Sequence, residues 1–86
     1  MRETTEIEIS FEEDGSHTVA HASMALRGIT FGGWGRASRN PTDASVPMIG
    51  EELAAARALS DLAHTLVEAA AETISAWERT PAHVTG

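Results

Sequence analysis

The chain has 86 residues, a formal net charge of −7, no cysteine and no lysine, so that its six basic residues are all arginine. This length allows one small domain, 1–86, with a single core, and the missing cysteines exclude disulfide staples. We therefore expect packing and self-association to supply stability. No apolar run approaches a signal peptide or the roughly 18 residues of a membrane span, which predicts a cytoplasmic protein with no membrane partner.

Charge is unevenly distributed along the chain. Residues 15–42 carry three arginines and no acidic residue, whereas residues 1–14 and 43–86 each carry a net charge of −5. An acidic protein is on average repelled by phosphate backbones, although a local arginine patch can act within a Debye length of roughly 10 Å. The middle segment is therefore where a nucleic-acid contact is expected, if the protein makes one.

An alternating segment predicts the first strand, over about 4–12. Ile7, Ile9 and Phe11 share one face, opposite glutamates and a serine, which is the pattern of a half-buried strand. The Asp14-Gly15 pair that follows is a strong hairpin signal, because both residues tolerate positive φ. The first two strands are therefore expected to pair antiparallel.

The second strand is predicted over about 17–27. Its odd positions carry His17, His21 and Arg27, which point away from the core. Small alanines on the other face would let a helix approach closely. The apolar inner face consists of the even positions Ala20, Ala22, Met24 and Leu26.

A third strand is predicted over about 29–38, after a tight turn at Gly28. Its glycines weaken it as a strand, and glycine there usually marks a close backbone contact. Gly33, Gly35 and Ala37 share one face, which we expect to lie under a helix. Trp34 and Arg36 then share the opposite face.

The C-terminal part predicts one long amphipathic helix over about 49–78, preceded by Pro47, with Glu51 and Glu52 complementing the helix dipole in its first turn. The fold class is therefore α+β, a three-stranded antiparallel β-meander packed on a long C-terminal α-helix, with a frayed tail at 80–86. The apolar positions of the helix recur at spacings of three and four, and they are Ile49, Leu53, Ala56, Leu59, Ala63, Leu66, Ala70, Ile74 and Trp77.

The predicted helix is longer than the sheet beneath it. Twenty-nine residues span roughly 43 Å as a helix, whereas a nine-residue strand spans roughly 30 Å. Either the helix breaks near Ala69–Ala71, or its last turns, with Ile74 and Trp77, bury their apolar side against a second subunit.

Possible catalytic and metal-binding groups have simpler interpretations. His17 and His21 lie about 13 Å apart along a strand and cannot share a metal ion. Asp61 and His64 could orient an imidazole as a base, but no nucleophile accompanies them and a solvated helix face is favoured. We predict no catalytic residue, no metal, no cofactor and no small-molecule substrate.

The arginine in the first half of the helix has two predicted partners. Arg57 lies four residues before Asp61, which favours an ion pair on the helix surface. It could instead reach Asp43 in the preceding loop. Either contact would be structural.

One constellation could contact nucleic acid or a protein partner, and it consists of Arg27, Trp34, Arg36 and Arg39. Arginine pairs with phosphate and tryptophan can stack on a base, yet an exposed tryptophan on a small sheet equally marks a protein interface. We favour the interface. Trp34 is also, with Ile74 and Trp77, a candidate dimer contact.

A sequence signature lies in the loop and the first half of the helix. The elements Asn40-Pro41-x-Asp43, Val46-Pro47-x-Ile49-Gly50 and the run from Glu52 to Leu62 occur in order after Gly33-x-Gly35-x-Ala37. The chain thereby resembles a bacterial family of small uncharacterised proteins with a double-stranded-RNA-binding-domain-like fold. That family includes a dormancy-induced member likened to ribosome hibernation-promoting factors.

The resemblance implies a homodimer with a suggested role in ribosome binding and translational silencing, and no enzymatic activity. The leading hypothesis is accordingly a non-catalytic homodimeric stress or dormancy protein associated with the ribosome or RNA. The alternative is a protein–protein interaction or structural module that binds no nucleic acid.

Overall fold

The fold consists of three antiparallel strands followed by one helix, in a computed structural model that describes residues 1–38 and 47–79. The strands form one sheet in the order β1-β2-β3. The predicted α+β meander with a long C-terminal helix is thus confirmed, while the predicted tail at 80–86 lies outside the described residues. The elements are β1 (Glu8–Glu13), β2 (His17–Leu26), β3 (Ile29–Ser38) and α1 (Pro47–Arg79).

Strand β1 is shorter at its start than the sequence predicts. It begins at Glu8, which pairs with Ser23 of β2. The preceding segment still follows β2, but through a side chain, because the Thr5 hydroxyl donates a hydrogen bond to the Ala25 carbonyl at 3.1 Å. This segment therefore lies beside the sheet without extending its ladder.

Helix α1 begins at Pro47, two residues earlier than predicted, because proline is tolerated in the first helical turn. The earlier start leaves the first turn without an acidic residue, so the predicted first-turn role of Glu51 and Glu52 is wrong. The helix then continues without interruption to Arg79, so it does not break near Ala69–Ala71. Its 33 residues span about 50 Å and extend beyond the ten-residue strands.

The core between sheet and helix is built almost entirely from small residues. Gly33 and Gly35 lie directly beneath the helix, where an added Cβ at Gly35 would overlap the Ala54 carbonyl oxygen and the Ala58 amide nitrogen. The prediction that this face of β3 lies under a helix is confirmed. The helix can approach β3 closely because these glycines have no side chains. The fully buried apolar residues are Ala20, Ala22, Ala37, Ala54, Ala58 and Leu62.

The helix faces the sheet with a different set of residues from the one predicted. Its buried positions are Ala54, Ala58 and Leu62, which the predicted apolar set does not contain. Within that set Leu66 packs partly against the core, and the other eight residues are exposed. One helix therefore carries two apolar faces, and the stronger periodicity belongs to the face that points away from the sheet.

Both hairpin turns follow from local chemistry. In the β1–β2 turn, the Asp14 carboxylate accepts hydrogen bonds from the backbone N–H groups of Ser16 at 2.9 Å and His17 at 2.8 Å. In the β2–β3 turn, Arg27 and Gly28 both have positive φ, 49° and 81°. A two-residue turn of this kind matches the twist of the flanking strands.

Replacing Asp14 with alanine is expected to destabilise the protein at neutral pH and to have little effect in acid. The backbone N–H groups of Ser16 and His17 lower the pKa of Asp14 below its ordinary value. A carboxylate with a lowered folded-state pKa stabilises the fold above its unfolded-state pKa, and this contribution is lost as the pH falls through the lowered value. Urea unfolding of both proteins from pH 7 to pH 2 measures the difference, and a difference that is independent of pH would contradict the assignment.

Candidate interaction surfaces

The face of the sheet that points away from α1, here called the outer sheet face, carries an exposed aromatic pair. Trp34 on β3 is 63% exposed. It lies opposite His21 of β2, and the centroids of the two rings are 4.2 Å apart with the planes tilted by 41°. The ring of His21 also lies over Gly32, where an added Cβ would be 3.0 Å from His21 Nε2. The indole is thus supported from one side and open on the other.

The charges around this pair are mixed. Arg36 follows two residues after Trp34 on the same face, and across the sheet its row continues through Val19 to Glu12. In a parallel row, Glu8 lies in line with Ser23 and Gly32. The outer sheet face therefore combines one arginine with two glutamates of β1, which weakens its attraction for phosphate.

The predicted contact constellation is not assembled. Trp34 and Arg36 are neighbours, but Arg27 lies in the β2–β3 turn, roughly 20 Å along the strand from Trp34. Arg39 lies outside the described residues. The strand direction separates these residues, because basic residues that are close in sequence need not lie at the same end of an extended strand.

The predicted dimer contact is also divided. Trp34 lies on the outer sheet face, whereas Ile74 and Trp77 lie near the C-terminal end of α1, which packs on the opposite face of the sheet. Trp77 is 71% exposed and Ile74 is 58% exposed. One flat interface cannot include all three side chains, so the two regions form separate surfaces.

Two helix side chains bind the free edge of β3. The Trp34 backbone N–H donates to Asp61 Oδ2 at 2.9 Å, and Arg57 Nη1 donates to the Arg36 carbonyl oxygen at 2.6 Å. Because β3 is an edge strand, these backbone groups would otherwise be open to pairing with another strand. The two helix residues occupy part of this edge.

These contacts correct the expected Arg57–Asp61 ion pair, whereas His64 lies on a solvated helix face, as favoured from the sequence. Arg57 and Asp61 form no ion pair among the described residues, because each side chain reaches β3 instead. His64 contacts Glu68, with Nε2 to Oε2 at 3.3 Å, rather than Asp61. The Asp61–His64 pair is therefore not arranged as an oriented base. The alternative contact of Arg57 with Asp43 involves a residue outside the described ranges.

Replacing Asp61 with alanine is expected to destabilise the fold by about 1 kcal/mol, because the Trp34 amide loses a charged acceptor. Alanine is the better helix former, so the loss cannot arise from helix propensity. Urea unfolding at pH 7 measures it, with Glu72→Ala as the control for removing an exposed acid from the same helix. Equal stability of Asp61→Ala and Glu72→Ala would contradict this role.

An open groove of about 880 Å³ lies between the N-terminal segment, the β2–β3 turn and the second half of α1. Its walls are largely aliphatic, and Glu3 and Arg27 are its charged residues. His17 and His21 take separate neighbours, and no group of three or more metal-ligating side chains occurs within residues 1–38 and 47–79. No helix in that part of the chain combines the length and apolar character needed to cross a bilayer.

The fold and its surfaces define a small β-β-β-α protein with exposed apolar and aromatic faces. Residues 3–83 match the Rv2632c-like family, and the chain belongs to that family. It is 41% identical over 83 residues to the uncharacterised protein Rv2632c of Mycobacterium tuberculosis strain H37Rv, covering 96% of this chain and 87% of the relative. It is 38% identical over 78 residues to the uncharacterised protein MT1780 of M. tuberculosis strain CDC 1551, covering 91% and 83%.

A solved structure supports the same grouping. The crystal structure of Rv2632c superposes with a TM-score of 0.86 at 38% identity, covering 94% of this chain and 96% of that one. The resemblance noted from the loop and helix signature is confirmed as far as membership in a family of small uncharacterised proteins.

Proposed function

We propose that the protein is a non-catalytic binding protein that acts as a homodimer. The observation that carries this proposal is the imbalance between its small core and its exposed apolar surface. Leu62 is the one large side chain that is fully buried in the described part of the chain. Large exposed residues lie on or beside β1 and along α1, namely Ile7, Phe11, Met48, Ile49, Leu53, Leu59, Val67, Ile74 and Trp77.

Burial of these side chains by a second copy would supply the stability that an alanine core does not. Light scattering coupled to size exclusion tests the proposal. We expect a particle of two chains of 9.1 kDa each at micromolar concentration. A particle with the mass of one chain would overturn it.

The partner that we propose for the dimer is the ribosome or RNA, in the setting of stress or dormancy implied by the family resemblance and its double-stranded-RNA-binding-domain-like fold. The exposed Trp34, backed by His21 and next to Arg36, supports this proposal, because stacking and phosphate pairing need such groups. The nearby glutamates of β1 predict binding that is weak and strongly dependent on salt.

Trp34→Ala is expected to abolish co-sedimentation with ribosomes at low salt while leaving the dimer intact. The reason is that the indole supplies the stacking surface and lies away from α1. Arg36→Ala should weaken binding, whereas Arg27→Asn should not, because Arg27 lies at the far turn and asparagine tolerates its positive φ. Wild-type protein found in the soluble fraction alone would favour the second candidate, a protein-interaction module without nucleic-acid binding.

A further inference from the structure

The face of α1 opposite the sheet carries a regular apolar pattern, here called the outer stripe. Its positions alternate in steps of four and three over four heptads, which is the spacing of a coiled-coil seam. Every member is exposed. Val67 is 66% exposed and lies nine residues, about 2.5 turns, from buried Ala58. The members are Ile49, Leu53, Ala56, Ser60, Ala63, Val67, Ala70, Ile74 and Trp77, and all except Ser60 are apolar.

We infer that a second copy of this chain packs its own outer stripe antiparallel against this one, with Ala63 at the two-fold axis. This inference rests on the proposed homodimer and specifies its interface. The two sheets would lie on the outside of the helix pair, since each outer stripe points away from its own sheet. Both outer sheet faces then remain open.

The order of large and small residues along the outer stripe is nearly symmetric about Ala63, so it fits this register. With Ala63 opposite itself, Ala56 meets Ala70 of the second copy. Small residues at the centre allow close approach of the helices, and large residues at both ends close the seam. The same register places the large residues of one end on those of the other, Ile49 on Trp77 and Leu53 on Ile74.

The residues beside the outer stripe and the exposure of its large side chains support packing against a second copy of the chain. Leu59 and Leu66 border the outer stripe on one side, and in this register each lies beside the other's counterpart in the second copy. In a parallel pair this flank would instead face the opposite flank, so that Leu59 would lie beside His64 and Leu66 beside Ala71. The two leucines therefore favour the antiparallel direction. The five large members of the outer stripe are each 45–71% exposed, and they are spread over its whole length. A run of exposed large apolar side chains of this kind marks an interaction surface.

Single cysteines test the register, because the chain has none of its own. Ala63→Cys should cross-link to a covalent dimer in high yield with a short bismaleimide. Ala56→Cys alone should not, since its two copies would lie roughly 21 Å apart along the axis. Mixing Ala56→Cys with Ala70→Cys should restore the cross-link. Cross-linking of Ala56→Cys alone would indicate parallel helices and overturn the inference.

A charge in the outer stripe provides the second test. Val67→Glu should raise the dimer dissociation constant about 30-fold or more, as expected for a central interface residue. Ala76→Glu, at an exposed position nine residues from Val67 and therefore on the opposite side of the same helix, should leave the constant unchanged. Far-UV circular dichroism shows whether each variant is folded, which is expected because Val67 is exposed in the single chain.

The outcomes separate this inference from the proposed function. If wild-type protein has the mass of one chain, the proposed homodimer fails and this interface fails with it. If the dimer persists in Val67→Glu and Ala63→Cys does not cross-link, the interface is overturned and the homodimer stands.

Discussion

Gly35→Ala is expected to destabilise the fold by about 3 kcal/mol or more, because the new methyl group would overlap helix backbone rather than a movable side chain. The atoms that it would meet are the Ala54 carbonyl oxygen and the Ala58 amide nitrogen. Relief would require α1 to move away from the sheet and to loosen the core alanines. A domain of this size has a total stability of about 4–13 kcal/mol, so the loss is a large share of it.

Urea unfolding followed by circular dichroism measures this effect. Gly15→Ala is the matched control, because an added Cβ there meets no atom within 4 Å and its φ is not positive. We expect the control to lie within about 0.5 kcal/mol of wild type. Equal stability of the two variants would show that the helix does not approach β3 as closely as described.

Leu62→Ala is expected to have the second large effect, a loss of about 3 kcal/mol. Leu62 is 2% exposed and is the largest side chain in a core that otherwise consists of alanines. The buried alanines of the core cannot extend into the space that Leu62 vacates, so a cavity adds to the loss of buried apolar surface.

Leu26→Ala provides the comparison for Leu62→Ala, because it removes the same atoms from a side chain that is 41% exposed. Its expected cost is about 1 kcal/mol, since much of the side chain is already in contact with water. Thermal and urea unfolding should show that Leu62→Ala is clearly less stable than Leu26→Ala. If Leu26→Ala were the less stable variant, Leu62 would not be the central side chain of the core.

Sequence patterns predicted the order of the strands and the faces of their side chains, although not the start of β1. Alternation in 6–12 and the even positions of β2 predict which side chains share a face, because successive residues of a strand point in opposite directions. Gly28 predicts the second turn through its positive φ. Asp14-Gly15 predicts the position of the first turn but not its cause, because neither residue has positive φ and the Asp14 carboxylate binds the Ser16 and His17 amides instead. The close helix contact at Gly33 and Gly35 was also predictable from strand alternation, which places both glycines on one face. A strand face without side chains leaves room for another element to approach.

Helix α1 shows where periodicity is insufficient. It carries two sets of positions at helical spacing, and large residues make the exposed set the stronger signal. The sheet selects the alanine set, Ala54 and Ala58 with Leu62, because glycines on β3 admit small side chains and exclude large ones. The glycines on one face of β3, together with alanines on one face of the helix, could have identified the buried helix face from the sequence.

The candidate contact residues also show which features spacing predicts and which depend on tertiary packing. Trp34 and Arg36 could be identified as neighbours on one face from their spacing, because they are two positions apart along a strand. The distance of Arg27 from them depends on how the strands lie in the sheet, and the separate surface of Ile74 and Trp77 depends on where the helix packs. The contacts of Asp61 and Arg57 with the edge of β3 likewise arise from that packing.

Spacing and turn chemistry within short segments therefore specify the elements, their order and the local faces of each strand. Packing of the helix on the sheet selects which of two apolar helix faces is buried and which stays open. That selection depends on how closely two elements can approach, and this is a property of the pair that neither segment carries alone.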